Sequence, residues 1–592
     1  MKPTLSLLLL LLVAAPSAAL TVYVPDDFPT IQSAIGSSIN GDTIIVRQGT
    51  YFENIDFLGK AITLRSEKGT KFTFIDGGKP LNPDFGCVVI FQNNEGRDSV
   101  LDGFTITNGT GKLVNTYRIG GGIYCDPMTS PTIINNVIMG NVNGIDSAGG
   151  IYCDDGADPI IRCNVFHDNS VDSGGGALGA GVGSVPIIED NIFRSNFADR
   201  RGGAISLWQS QAVISRNLFI NNGIPGRGGA ISCEQSSPII TENLFEGNRS
   251  NIYGGAIDCN TAASPTIARN TMRGNRSISG GAIACYLNCS PLIEGNLIVA
   301  NSADGGAGIY FANWCSPLVA NNVILDNEAL SGSAGGLFCT DRSTPLILNS
   351  TFVGNSALQA GGAILCGSGS TAEIVNTILW DNTAAEGSEI AIGHTSDPAI
   401  VTIRHSDLKG GPSLVKVDPL CILEVGPGLI DADPLFSDRL EEDLHIPWNS
   451  PCRNAGDDLA AGQLALDYEG DRRVWLGPVD IGADEFHPHL YFTGTVAPGA
   501  SGKIRLVGPP GAWAYLALGP SVLDPPVQTS WGVLYLQQPF LATWSFRSLP
   551  PTGILALPMT VPSSWLPGTT HPFQALEGPV PQLTNLLLLS VE

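Results

Sequence analysis

Apolar and polar positions recur in one pattern, with a period of 26 to 28 residues, between about residues 120 and 382. A representative copy reads Gly254–Cys259, then a Ser264-Pro265 step, then Thr266–Ile267 and Asn270–Asn275. Short apolar runs rich in β-branched residues alternate with Gly-Gly, Ser-Pro and Asn-containing turns, without helical three-four spacing. Units this small cannot bury their own apolar side chains, so the constant period indicates stacked repeats.

Three short strands and three turns fit into each copy, which predicts an all-β fold. Each copy would form one coil of a parallel β-helix, with successive coils about 4.8 Å apart, the ordinary spacing of paired strands. Alternation along the first strand of the representative copy sends Ile257 and Cys259 into the coil and Asp258 and Asn260 outward.

Stacking aligns equivalent positions of successive copies into columns. One inward column contains seven cysteines, which we expect to be buried and reduced, because Cβ atoms one coil apart are too distant for a disulfide. Two asparagine columns are expected because the amide both donates to and accepts from the next coil, and because asparagine tolerates left-handed backbone. The cysteine column reads Cys125, Cys153, Cys233, Cys259, Cys285, Cys339 and Cys366, with Ala180, Leu207 and Phe311 in the intervening coils; the asparagines stand at 136, 164, 191, 217, 243, 270, 296 and 322 and at 141, 169, 196, 222, 248, 275, 301, 327, 355 and 382.

The repeats resemble those of right-handed parallel β-helix proteins, the pectate-lyase-like superfamily, over roughly residues 22–430. The resemblance implies a right-handed solenoid with its repeats in residues 120–430. It implies little about a reaction, because this fold supports lyases, hydrolases, adhesins and proteins with no known activity.

The N-terminal residues predict a leader and a cap. Lys2, the leucine-rich run Leu5–Leu12 and the small residues that follow are typical of a secretory signal peptide over residues 1–19, so we expect an exported protein, extracellular or at the cell surface. Residues 20–119 are interpreted as a cap and the first coils. Thr30, followed by apolar Ile31, Ala34 and Ile35, predicts a short amphipathic helix, and the segment is similar to the superfamily's N-terminal cap, which covers the open end of the coil.

The C-terminal part divides into two further pieces. Residues 431–488, with Asp431–Phe436, Ser450–Asp457 and Val479–Phe486, resemble the closing segment that seals the last coils of bacterial secreted β-helix proteins. Their carboxylates are either calcium ligands or partners for turn hydrogen bonds. Residues 489–592 lose the Gly-Gly and Cys positions and predict a separate β-sandwich. Its Trp513, Trp531, Trp544 and Trp565 are either sugar platforms or core aromatics.

Net charge and cysteine spacing limit the binding partners, disulfides and metal sites that the chain can have. A formal net charge of −24, from 55 acidic and 31 basic residues, argues against nucleic acid and anionic membranes. Of the thirteen cysteines, Cys421 and Cys452 lie outside the columns and are the pair most expected to form a disulfide. No CxxC motif or histidine-bearing zinc spacing occurs, so a structural zinc site is not predicted.

The outward positions of the first strands carry aromatic rings and carboxylates, which a long glycan needs for stacking and for hydroxyl hydrogen bonds. Arg201 and Arg227 precede Gly-Gly turns of adjacent coils, and we expect them close to Glu234 and Asp258 as a candidate catalytic group. The expected glycan-binding residues are Tyr124, Asp126, Tyr152, Asp154, Trp208, Tyr286 and Tyr310.

Two chemistries suit such a group. In a lyase, a carboxylate-bound calcium would acidify the proton beside a uronate, and an arginine or tyrosine would remove it. In a glycosidase, two carboxylates about 5 to 9 Å apart would act as a pair. The simpler alternative is that these residues are only the solvated outer face of a solenoid. We therefore expect a monomeric, glycan-directed scaffold or binding protein, with a polysaccharide lyase or glycoside hydrolase as the rival hypothesis.

Overall fold

A computed structural model describes residues 19–114, 117–144, 146–393, 397–462, 464–474 and 477–486, and the backbone of nine strands within 489–590. The chain divides into two compact units, one ending at Asn196 and the other beginning at Phe197. The predicted signal peptide lies almost entirely outside the described residues, as do Trp513, Trp531 and Trp565. Among the described residues, no helix is both long enough and apolar enough to cross a membrane.

In both units each coil contributes three strands, and equivalent strands of successive coils pair in parallel and in register. The first sheet follows the Gly-Gly turns, the second follows the Ser-Pro step, and the third follows the first asparagine of each copy. This is the predicted solenoid.

In the unit that ends at Asn196, the three sheets begin at the N-terminal cap, and short side strands form additional small sheets beside them. The first sheet contains Ile55–Asp56, Val89–Phe91, Ile123–Cys125, Ile151–Cys153 and Leu178–Ala180; the second Thr21–Val24, Thr43–Val46, Thr63–Ser66, Val100–Asp102, Thr132–Ile134, Ile160–Arg162 and Ile187–Glu189; the third Gly49–Tyr51, Thr73–Asp76, Thr105–Thr107, Val137–Met139, Val165–His167 and Ile192–Arg194. The side strands are Phe85–Gly86, Gly111–Val114, Tyr117–Ile119 and Asp146–Ser147, and the two-residue strands Val142–Asn143 and Ser170–Val171.

In the unit that begins at Phe197, each coil again contributes one strand to each of three parallel sheets. The first sheet contains Ile205–Trp208, Ile231–Glu234, Ile257–Asn260, Ile283–Tyr286, Ile309–Ala312, Leu337–Cys339, Ile364–Cys366, Ile390–Ile392 and Lys416–Val417; the second Val213–Ser215, Ile239–Thr241, Thr266–Ala268, Leu292–Glu294, Leu318–Ala320, Leu346–Leu348, Thr371–Val375, Ile400–Arg404 and Ile422–Val425; the third Leu218–Ile220, Leu244–Glu246, Thr271–Arg273, Leu297–Val299, Val323–Leu325, Thr351–Val353, Ile378–Trp380 and Asp407–Leu408. Two-residue strands stand at Phe197–Ala198, Gly223–Ile224, Arg249–Ser250, Ser302–Ala303, Glu328–Ala329 and Ser356–Ala357, and short helices at Pro412–Leu414, Arg439–Glu441 and Asp458–Ala461.

Past residue 488, antiparallel strands replace the parallel coils. They fall into three sheets, and the sandwich expected for residues 489–592 stays a prediction. The strands are His489–Gly494, Ser501–Val507, Ala514–Leu518, Val522–Thr529, Gly532–Leu536, Ala542–Phe546, Ile554–Thr560, Thr570–Glu577 and Gln582–Ser590.

The predicted cysteine column lies inside the coil, and all seven thiols are buried and free. Cys125 pairs in register with Cys153, which pairs with Ala180. In the other unit, Leu207, Cys233, Cys259, Cys285, Phe311, Cys339 and Cys366 follow one another in register. The coils stack here on apolar side chains, and the cysteines serve as buried apolar residues without a disulfide.

The asparagine columns join coils by paired hydrogen bonds. Asn270 is typical: its Nδ2 donates to Oδ1 of Asn296 at 3.0 Å, and its backbone N–H donates to the same oxygen at 2.9 Å. The donor-and-acceptor reason for asparagine is therefore confirmed. The left-handed reason is wrong, because positive φ falls on the preceding residue, such as Arg269 (φ 53°) or Gly274 (φ 63°). Asparagine is required here for its amide, which serves the buried backbone of two coils.

The predicted N-terminal helix is confirmed at Ile31–Ser37. Thr30 is its N-cap and forms a capping box with Ser33. Ile31, Ala34 and Ile35 are fully buried. The carboxylate of Glu53 accepts from the N–H groups of Ile31 and Gln32, both at 2.9 Å, so the helix is fixed to the first coil.

The closing segment, predicted over residues 431–488 to seal the last coils, is described up to residue 486. It packs back along the outer side of the third sheet, where Leu444 and Ala483 contact Val299, Val323 and Val353. Two ion pairs join the closing segment to the coils: Arg439 pairs with Asp326 at 2.5 Å, and Glu442 pairs with Arg273 at 2.6 Å. The outside of the third sheet carries apolar residues here where solvent-facing polar residues are usual, and the closing segment buries them.

The expected Cys421–Cys452 disulfide is wrong, since both thiols are free in the structure. Cys452 belongs to the closing segment and is buried where that segment meets the coils, and its Sγ donates to Oδ2 of Asp407 at 3.2 Å. Cys421 lies in the turn before the last strand of the second sheet, and its sulfur accepts from the N–H of Ala399 at 3.4 Å. The two cysteines are thus held by different neighbours.

Candidate functional site

The outer face of the first sheet brings several predicted residues together in the unit that begins at Phe197. Register places Trp208, Glu234, Asn260 and Tyr286 in one outward column. Ser232, Asp258, Ala284 and Tyr310 form the column beside it. A third column, immediately before the Gly-Gly turns, contains Arg201, Arg227 and Tyr253.

Three tyrosines of this face form a stack that extends over neighbouring coils. The ring of Tyr253 lies 5.4 Å from that of Tyr286 and 6.1 Å from that of Tyr310, with interplanar angles of 20° and 13°. Phe338 meets Tyr310 edge-on at 5.5 Å. All four side chains are partly exposed, so ring surface remains open to a ligand. We call Tyr253, Tyr286 and Tyr310 the tyrosine stack.

Arg201 and Arg227 were expected close to Glu234 and Asp258, and Arg227 lies beside the tyrosine stack as well. The guanidinium of Arg227 is 5.3 Å from the ring centroid of Tyr253 and 5.9 Å from that of Tyr286, within cation–π range. Arg201 forms an ion pair with Glu234. Trp208 stands one coil from Glu234 in the same column and is 53% exposed. The face therefore offers rings, two cations and one accessible carboxylate.

The predicted exposure of Asp258 is wrong. Its side chain points away from the coil interior but is only 1% exposed. Oδ2 accepts from Oγ of Ser232 at 3.2 Å. Burial raises the pKa of Asp258 to about 8, with the nearby Arg227 opposing the shift and Glu234 adding to it. The carboxyl is therefore protonated at neutral pH and lies beneath the outer surface of the first sheet.

The residues predicted in the other unit are arranged differently. Tyr124 is 2% exposed and is not a platform, because the side strands Gly111–Val114 and Tyr117–Ile119 cover it. Its hydroxyl lies 2.5 Å from Oδ1 of Asp126 and 2.6 Å from Oδ2 of Asp154. The ring of Tyr152 is 6.5 Å away and nearly parallel.

Burial and the two carboxylates raise the pKa of Tyr124, so its hydroxyl keeps its proton and serves as a donor. Asp126 and Asp154 share that single donor, and Lys112 lies over the ring at 4.6 Å. These predicted glycan contacts thus form an internal polar cluster with only partial access from outside.

Tyr253 was not among the predicted residues, although it is central to the stack. It stands at the position of Arg201 and Arg227, 26 residues after the latter, so the repeat period was a signal that pointed to it. Two of the closing-segment carboxylates considered for calcium accept backbone hydrogen bonds: Asp431 accepts from Gly410 N–H and Asp433 from Leu435 N–H, both at 2.9 Å.

Comparison with known proteins agrees with this architecture. Residues 203–379 match the family model described as "Right handed beta helix region". The chain is a right-handed parallel β-helix protein. None of the curated protein sequences compared with this β-helix chain matches it.

Two solved structures are similar in fold. The catalytic unit of a thermostable GH87 alpha-1,3-glucanase from Streptomyces thermodiastaticus is 14% identical, with a TM-score of 0.35 over 71% of this chain and 70% of that chain. The PL6 family polysaccharide lyase from Pseudopedobacter saltans is 13% identical, with a TM-score of 0.29 over 76% of this chain and 96% of that chain. Likeness at this level carries no inference about a shared reaction.

Proposed function

We propose that this β-helix protein binds an extended glycan along the outer face of its first sheet, between Trp208 and Tyr310. The observation that carries the proposal is the tyrosine stack. Its rings are nearly parallel, stand on successive coils and are partly exposed. Exposing apolar ring surface to water is unfavourable in free energy, and sugar rings stack on such surfaces.

The polar groups around the stack suit a sugar chain. Arg201, Arg227 and Glu234 supply donors and an acceptor for hydroxyl groups, and the arginines add charge for a uronate carboxylate. Because coils repeat about every 4.8 Å, a ligand with its own short, regular repeat makes equivalent contacts on one coil after another. A polymer therefore suits this face better than a compact small molecule.

A catalytic function on the same face is the second candidate. Asp258, protonated at neutral pH, lies one coil along from the ion-paired Glu234, and glycoside hydrolases use such an unequal pair of carboxyl groups. From strand geometry, their Cα atoms are about 8 Å apart. Catalysis would require the side chains over Asp258 to move aside, whereas binding requires no rearrangement, and for this reason binding is the first proposal.

The test is retention of the mature chain on a panel of insoluble or gel-embedded polysaccharides, neutral and uronate-containing. Tyr286→Ala and Tyr310→Ala should weaken retention at least about tenfold if each ring contributes the 1.4 kcal/mol or more that one decade of affinity represents. Tyr117→Ala, which removes an exposed tyrosine outside the stack, is the matched control and should bind like the wild type. Equal retention of all four proteins would reject the face as the binding site.

Turnover is read in the same samples from new reducing ends and from the ultraviolet absorbance of unsaturated products, with and without calcium. Activity that disappears in Glu234→Gln and Asp258→Asn would replace binding by catalysis as the function. Retention without products, abolished in Tyr286→Ala, would support the binding function.

We also propose export of the chain, on the apolar run and small residues near its N-terminus. Recovery of the protein outside producing cells, with an N-terminus close to residue 20, is the expected result. A retained Met1 on protein inside the cell would contradict it.

A further inference from the structure

A second site lies far from the tyrosine stack in sequence, between the third sheet and the closing segment. A cavity of about 310 Å³ opens here. Leu297, Val323 and Thr351 of the third sheet form one wall, while residues 441–445, Tyr468, Glu469, Ala483 and Asp484 form the other.

Three potential metal ligands face one another at this cavity. A ring nitrogen of His445 and one carboxylate oxygen each of Glu469 and Asp484 all lie within 4.8 Å of one another. Nε2 of His445 is 3.0 Å from Oε2 of Glu469. The three residues are separated by 24 and 15 positions along the chain, so only the folded closing segment brings them together.

A carboxylate at Nδ1, the ring nitrogen not facing Glu469, fixes the orientation of the imidazole. Nδ1 of His445 lies 2.6 Å from Oδ1 of Asp443, whose side chain is 1% exposed. A proton on Nδ1, donated to Asp443, leaves the lone pair on Nε2, the nitrogen nearest Glu469. Metal-binding histidines are held in this way, with the second nitrogen bonded to a carboxylate.

Three carboxyl groups lie around the imidazole of His445. Those of Asp443 and Glu469 contact its two ring nitrogens, and a carboxylate oxygen of Asp484 lies within 4.8 Å of the other two ligand atoms. The buried arginine nearby, Arg473, donates to the carbonyls of Gly482 and Ala483. Clustered carboxylates away from water are stabilised by pairing or by metal coordination.

We propose that His445, Glu469 and Asp484 bind one divalent transition-metal cation, of which Zn²⁺ is the probe. One imidazole nitrogen with two carboxylate oxygens is a Zn²⁺-type or Mn²⁺-type ligand set, whereas Ca²⁺ prefers oxygen ligands alone. With metal–ligand bonds of about 2.1 Å, ligand atoms in tetrahedral or octahedral arrangement stand about 3.0 to 3.4 Å apart. The 3.0 Å separation of Nε2 and Oε2 meets this requirement, and the remaining distances need to shorten by at most about 1 to 2 Å.

Such a cation would connect three separate parts of the closing segment and hold them against the coils. Three protein ligands leave at least one coordination position free, and that position would face the cavity. Asp443 acts here as a positioning residue, because it touches the imidazole and not the metal.

Equilibrium dialysis of the full chain, first stripped with a chelator, measures bound Zn²⁺ by elemental analysis. We expect one equivalent in the wild type, lost in Glu469→Gln and His445→Ala and retained in His167→Ala, the matched histidine control. Asp443→Asn should weaken binding by about 10- to 100-fold, the usual effect of removing the carboxylate behind a ligating histidine. Zn²⁺ should also raise the unfolding temperature of the wild type and not that of Glu469→Gln.

Circular dichroism of each variant before metal addition shows whether it is folded, and Glu469→Gln, whose side chain is 33% exposed, is the variant least able to disturb the fold. Absence of Zn²⁺ and Mn²⁺ binding in the folded wild type would overturn the proposal. So would binding that is unchanged in Glu469→Gln and His445→Ala, or Ca²⁺ binding that equals Zn²⁺ binding at the same residues.

Discussion

Asn275→Ala is the substitution that most directly tests how the coils are held together. The side chain of Asn275 is fully buried and makes four hydrogen bonds. Its Oδ1 accepts from the backbone N–H and the Nδ2 of Asn248, at 2.9 and 3.0 Å. Its Nδ2 donates to the carbonyl of Phe245 and to Oδ1 of Asn301, both at 3.0 Å. Alanine removes all four.

The expected magnitude follows from which partners are left without a bond. Nδ2 of Asn248 still donates to the carbonyl of Phe219, and Oδ1 of Asn301 still accepts from the backbone N–H of residue 275. The N–H of Asn248 is left without a partner inside the coil, whereas the carbonyl of Phe245 loses one hydrogen bond but stays in the strand pair with Met272. Since an unpaired buried group costs about 1–3 kcal/mol and a lost hydrogen bond about 0.5–1.5 kcal/mol, the substitution should lower the free energy of unfolding by about 1.5–4.5 kcal/mol.

Asn275→Asp separates hydrogen bonding from shape. It keeps the size of the side chain but turns an acceptor toward the carbonyl of Phe245 and Oδ1 of Asn301, so it should be at least as destabilising as alanine. The assay is urea unfolding followed by circular dichroism, with hydrogen exchange of peptides containing Asn248, because stacked repeats need not unfold in one step.

Asn251→Ala, at an exposed position, is the matched control and should change stability by no more than about 0.5 kcal/mol. A loss in Asn275→Ala no larger than in this control would refute the role assigned to the asparagine column. Tolerance of Asn275→Asp would show that the column selects shape and not donors.

Four further outcomes are expected. Glu389 ends the column, accepting from Asn382 N–H at 3.2 Å and Nδ2 at 2.5 Å, so Glu389→Gln should unfold near the wild-type urea midpoint and Glu389→Ala clearly below it. Burial raises the pKa of Asp258 to about 8, so the folded chain retains a proton that the unfolded chain releases near pH 4, and stability falls as pH rises between these values. The unfolding temperature of Asp258→Asn should therefore increase relative to that of the wild type from pH 5 to pH 8. A difference that stays constant with pH would contradict this. Cys163 is the one exposed cysteine of the thirteen, so a thiol reagent should label it first, and Cys163→Ser should remove the fast phase of labelling. A fast phase that persists in Cys163→Ser would show that another thiol is accessible. Deletion of residues 489–592 should leave polysaccharide retention unchanged if the tyrosine stack is the binding site; loss of retention would move the site to the deleted part.

The repeat by itself determined the coil and its interior. Alternation along a three- or four-residue strand decides which side chains face inward, and a constant period decides which of them stack, so the cysteine and asparagine columns follow from the sequence alone. The helix at Ile31–Ser37 was equally local, since its cap and apolar face lie within eight residues. Each of these features depends on neighbours in one copy or on the same position in the next.

The tertiary structure decided what covers the outside. Asp258 and Tyr124 point outward as alternation requires, yet both are buried by side chains or side strands that the period does not describe. The closing segment lies along several coils because the outer side of the third sheet is apolar there, and that packing assembles His445, Glu469 and Asp484. Contacts between residues far apart in sequence depend on how separate surfaces complement one another, and no spacing within the chain encodes that complementarity directly.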